Sequence, residues 1–117
     1  MAYYRSESNV YCDSIKKTIA AGQTDNNVVV KANGPCRISG ILAKFASATS
    51  GDFTVDITRN GVTVNILKVT LDSNQSVVAS DINVWLPEAG SSAYKATKLS
   101  ITNGTQASAD VLIDYAY

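Results

Sequence analysis

The chemistry open to this chain rests on its carboxylates, because it contains no histidine. That excludes histidine-based acid–base catalysis, Ser-His and Cys-His nucleophiles and most transition-metal sites together. Two aspartate pairs have the spacing that sets both members on one face of a strand: Asp52 with Asp56, and Asp110 with Asp114. Four residues at about 3.3 Å each separate their backbones by roughly 13 Å. Glycosidases hold their two carboxyl groups about 5–5.5 Å or 6.5–9.5 Å apart, so neither pair forms such a dyad. Both pairs alternate with apolar residues, as the wet face of a strand does. No catalytic residue is assigned, and the chain is expected not to be an enzyme.

Other candidate sites fail on pattern. Asp72-Ser-Asn-Gln-Ser76 offers oxygen ligands at the first, third and fifth positions of a calcium loop, but Val77 and Asn83 occupy the places of its glycine and glutamate. An Asx-rich turn describes it better. No closely spaced glycines lead into Lys-Ser or Lys-Thr, so no phosphate loop is present. Cys12 and Cys36 lie too far apart for a CxxC motif; Cys36 is expected to be a small buried hydrophobe and Cys12 an incidental thiol, with a Cys12–Cys36 bridge as the alternative. No metal or cofactor is expected.

Charge and hydropathy narrow the partners. Ten basic residues balance ten acidic ones in 117, which leaves no electrostatic footprint for nucleic acid. Apolar runs such as Ile41-Leu42-Ala43 are three residues long, far short of the roughly 20 that a membrane helix needs. The first eight residues lack the apolar core of a secretory signal, so synthesis in the cytosol with reduced thiols is the expectation.

The elements that must carry any site are strands. Phe53, Val55 and Ile57 alternate with Thr54, Asp56 and Thr58, then Asn60-Gly61 offers the positive-φ pair of a two-residue hairpin turn. Val62, Val64 and Ile66 return with the same period, and the two sets are expected to share one dry layer. The phase slips at Gly40, where a bulge would absorb the extra residue, and again at Leu67, where the strand is expected to bend, bulge or change sheet. Residues 14–22 fit an edge strand on Ile15, Lys17 and Ile19, or a two-turn helix. Further strands are expected over 28–32, 36–45, 77–86, 95–102 and 110–117, with loops at 46–51 and 72–76. Turn signals at this spacing predict an all-β, two-sheet antiparallel sandwich of about eight strands, jelly-roll-like, over residues 15–117. Residues 1–14 lack any period and form an N-terminal arm.

Contact surface is then the place to look for function. With Ile82, Val84 and Leu86 inward, Trp85 faces out beside Asn83. Tyr3, Tyr4 and Tyr11 crowd the arm together with Arg5, and aromatic and arginine side chains dominate interface hot spots. Tyr3, Tyr4, Arg5, Tyr11, Trp85 and Tyr94 are the candidate partner-contact residues. A carbohydrate stacking on Trp85 and Tyr94 is the rival to a protein partner. Ser, Thr and Asn supply 32 residues while charged ones make up 17%, which suits a surface packed against protein without stranding charges.

The polar aromatic arm, Ala-Gly-Gln-Thr-Asp at 21–25, Asp-Ile-Thr-Arg-Asn-Gly at 56–61 and the terminal Val-Leu-Ile-Asp-Tyr-Ala-Tyr together resemble the small β-sandwich structural proteins of tailed bacteriophage virions, of the capsid decoration or cement type. The resemblance implies a homotrimer or similar oligomer seated on capsid protein. A tail or head–neck connector is the related alternative. No site residues carry over, since no shared motif supplies them.

Overall fold

The computed structural model describes residues 11–28, 30, 35–59, 61–86 and 98–117. Among these the chain is all-β, with no helix. Its six strands are β1 (Cys12–Ile19), β2 (Thr24–Val28), β3 (Cys36–Arg59), β4 (Val62–Leu86), β5 (Lys98–Asn103) and β6 (Ala109–Ala116). All pairings are antiparallel, in the order β1-β6-β3-β5-β2, with β4 along the other side of β3.

β3 and β4 form one long hairpin. Arg59 pairs with Val62 across a two-residue turn, and Gly61 sits at φ +81, as the sequence predicts. β3 changes its other partner midway: residues 37–45 pair with β6 and residues 53–58 with β5. Between these stretches the pairing with β4 slips twice, from Lys44 to Thr49 and from Thr49 to Gly51. The strand bends there and the sheet curls, so that its two halves enclose one core. Ile38, Ile41, Phe45, Val111 and Ile113 reach it from one half, and Val28, Phe53, Val55, Leu99 and Ile101 from the other, none more than 2% exposed. Phe45 and Phe53, the two largest fully buried side chains, meet edge to face across the bend at 5.8 Å. Each such side chain contributes roughly 1.5–3 kcal/mol by leaving water.

Both predicted phase slips are bulges. One lies between Ile38 and Gly40 and keeps Ile38 and Ile41 on the core side; the other sets Val55 against Leu67 and Asp56 against Asn65. Past the second bulge Leu71 is buried and Leu67 and Val69 pack on the core. Residues 14–22 resolve to the strand alternative, closed by a turn with Gly22 at φ +70.

Several expectations are corrected. Among the described residues there are six strands rather than the expected eight, because residues 46–51 and 72–76 continue β3 and β4 instead of forming loops; their small and polar side chains let a strand bend without breaking. β2 covers 24–28 rather than starting at Val28, and β1 takes in Cys12 to Ser14, so the end of the expected arm belongs to the sheet. Val62 and Val64 do not join a dry layer. They are 65% and 53% exposed, since the opposite half of the sheet does not reach over the hairpin tip. Among the described residues β1, β2 and β4 are edges, and β4 is by far the longest of them.

Candidate functional site

Three of the candidate aspartates, Asp52, Asp56 and Asp110, are engaged with polar neighbours on adjoining strands. Asp52 accepts a 2.7 Å bond from the Thr70 hydroxyl and lies 3.9 Å from the Lys68 ammonium. Asp56 accepts from the Asn65 amide at 2.8 Å, and Asp110 from the Thr18 hydroxyl at 2.8 Å. Asp72 accepts from its own chain at Asn74 N at 2.9 Å, the Asx turn anticipated for that stretch. Among the described residues no three His, Cys, Asp or Glu side chains converge. Cys36 is buried and Cys12 exposed.

What the fold does assemble is surface. Trp85 points outward, 51% exposed, as alternation predicts. It lies opposite Arg37, whose guanidinium donates a 2.6 Å bond to Asn83 Oδ1. Tyr11 is also exposed, but the structure does not bring it to Trp85. In the row Cys12, Ala116, Arg37, Trp85 it stands beside the far strand, about 14 Å away across three strand spacings. Instead Tyr11 exchanges both backbone hydrogen bonds with Tyr117, at 3.0 and 2.9 Å, and their rings lie 5.7 Å apart. Tyr117 stacks in turn on Tyr115 at 5.8 Å. Tyr3, Tyr4, Arg5 and Tyr94 lie outside the described residues.

Tyr115 has a shifted proton affinity. Burial against the core, and then the Asp13 carboxylate, raise its hydroxyl above the usual value near 10. The unfolded chain therefore loses this proton first. Stability from this group is full below pH about 10 and lost as pH rises through the higher folded value. In denaturant titrations from pH 8 to 11, Tyr115→Phe is expected to flatten the alkaline fall seen in the parent chain.

Sequence reasoning missed the outer face of the half-sheet β1-β6-β3-β4. Leu42 and Leu112 are register neighbours there, with Lys44 and Asp110 in the next row. Two shallow depressions of about 200 and 170 Å³ are both bordered by Lys44 and Asp110, and Leu42 and Leu112 line the second. The available signal was a failure of alternation: Ile41-Leu42-Ala43, Val77-Val78-Ala79 and Val111-Leu112-Ile113 are apolar on both faces.

No protein-family model and no curated protein matches the chain in sequence. Solved structures do match in fold. The PRD1 vertex protein P5 overlays with a TM-score of 0.60 at 11% identity, over 98% of this chain and 85% of that one. The Drosophila NLP core, whose structure is described in terms of pentamer formation and histone binding, overlays with a TM-score of 0.51 at 12% identity, over 91% of this chain and 96% of the other. The all-β fold of this chain thus resembles that of a virion structural protein.

Proposed function

We propose that the chain is a non-enzymatic structural protein of a virion, of the capsid decoration or cement kind, working through apolar contact area and shape. The observation that carries this reading is the overlay on a vertex protein along nearly the whole chain. Asp52, Asp56, Asp72 and Asp110 add to it, since each is engaged by a threonine, asparagine or backbone partner. On this reading the curled halves correspond to the two layers of a jelly-roll-like sandwich, with β3 and β4 each serving both. The pentamer-forming neighbour supports an oligomer. Peptides of this chain are expected in virions purified from cells that carry its gene; their absence from intact particles rejects the virion role.

In this reading Tyr3, Tyr4 and Arg5 reach a neighbouring subunit or capsid protein. Because Tyr11 pairs with Tyr117, the arm is cleanly removed up to residue 10. Deleting residues 2–10 is expected to weaken attachment to particles at least tenfold in co-sedimentation while circular dichroism and the thermal midpoint stay unchanged. Undiminished attachment removes the arm from the interface. Half-exposed Trp85 beside the Arg37–Asn83 pair favours carbohydrate as a second partner class, and a glycan titration followed by Trp85 fluorescence separates the two.

A further inference from the structure

Alternation should leave polar side chains on the outer face of the β1-β6-β3-β4 half-sheet, yet its centre is apolar. Leu42 is 41% exposed, its neighbour Leu112 is half-buried, and the adjoining β4 positions Ala79 and Val77 are exposed. Lys44 and Asp110 sit in register one row along. Among the described residues Lys44 makes no ion pair within the chain. We propose that this face joins two copies of the chain about a two-fold axis that runs along the strands, between β3 and β6.

The pattern of charge selects both the partner and the axis. Turning a second copy about that line lays its β6 over β3 of the first. Leu112 then meets Leu42, Asp110 meets Lys44 and Asp114 meets Gly40, each contact occurring twice. Lys16, which flanks Leu112 on β1, falls over Ala79. Asp81, beside Gly40 on β4, falls over Ser14, one strand spacing from Asp114 of the second copy, so no like charges lie directly opposite each other. Turning the copy about a line across the strands, through the leucine row, sets Lys16 on Lys16 and Asp110 on Asp114, which repel. Two sheets facing each other in the aligned class cross at about 30° and sit about 10 Å apart, which keeps the central rows in contact. Four strands and residues 37–45 outline about 19 by 30 Å, or roughly 570 Å² before side-chain relief. A standard interface takes about 800 Å² from each partner.

The pairing is read from the purified chain alone, so its failure leaves the virion reading standing. Light scattering across a concentration series is expected to give an even number of chains. Leu42→Glu is expected to halve the mass without moving the thermal midpoint. Lys44→Asp and Asp110→Lys each place like charges at the contact, and each alone is expected to halve the mass as well. Mixed in equal amounts, the acidic pair of one variant faces the basic pair of the other, and the full mass returns. Neighbouring charges within one chain cannot produce that rescue. A monomeric parent chain, an unchanged mass for Leu42→Glu, or variants that fail to recover on mixing overturns the proposal.

Discussion

Replacing Asn103 with alanine is expected to remove about 3 kcal/mol of stability. At about 4 °C per kcal/mol for a chain of this size, the thermal midpoint falls by roughly 12 °C. Asn103 is fully buried. Its amide nitrogen donates to Ile19 O at 3.1 Å and Ala107 O at 2.8 Å, and its oxygen accepts from Thr105 N at 3.1 Å and Thr105 Oγ1 at 2.6 Å. Truncation strands carbonyls of two different segments inside the protein. The Thr105 hydroxyl can turn to Ala107 O, 3.0 Å away, which keeps the loss below the sum of four bonds. Asn103→Asp preserves the shape but cannot donate when ionised, so its loss at neutral pH is expected to be at least as large and to shrink on acidification. A change under about 0.5 kcal/mol for Asn103→Ala shows that these bonds do not hold β1 to the β5–β6 turn.

Gly51→Ala acts on the other side of the same junction and is expected to cost about 3 kcal/mol or more. Gly51 has φ +127, and a Cβ there lies 2.5 Å from Gly104 O and 3.1 Å from Thr105 Cα. The backbone conformation alone carries a cost of about 1–3 kcal/mol for a residue other than glycine. The obstruction adds to it, because it is main chain and cannot rotate aside. The contact is reciprocal, since Gly104 N donates to Asp52 O at 2.8 Å and a Cβ on Gly104 meets that oxygen at 2.7 Å. Gly22→Ala is the control: φ is +70 but nothing lies within 4 Å, so only the left-handed cost of about 1–2 kcal/mol applies. Denaturant midpoints of the two variants are expected to differ clearly; equal midpoints place the strain in the backbone angle alone.

These two positions mark the limit of what the sequence discloses. The turn at Gly61 is legible from its Asn-Gly pair between two alternating runs, and the bulges beside Gly40 and Leu67 because period two breaks by one residue, which a strand has few ways to mend. Asn103-Gly104 reads locally as an ordinary turn. Its burial depends on Ile19, 84 residues away in the chain, and on the bend at Gly51, neither of which has a local signature. The exposure of Val62 and Val64 is hidden for a related reason: alternation says which side chains share a face, not whether another layer covers it. Among the candidate contact residues, the outward turn of Trp85 follows from its neighbours Val84 and Leu86, while the Tyr11–Tyr117 contact depends on how the chain ends pair. The apolar outer face was legible only as three runs that refuse to alternate, and their alignment across β3, β4 and β6 needs the register.

Among the described residues β4 pairs only with β3, which leaves its outer edge open. Natural sheets blunt exposed edges with lysine, proline or short length. β4 has 25 residues, no proline and one lysine, Lys68. A chain left unassembled offers a long row of amide and carbonyl groups beside β-branched segments, the template on which cross-β fibres nucleate. Concentrated stocks held for days are therefore expected to bind amyloid dyes, and the hairpin limb is where polymerisation starts.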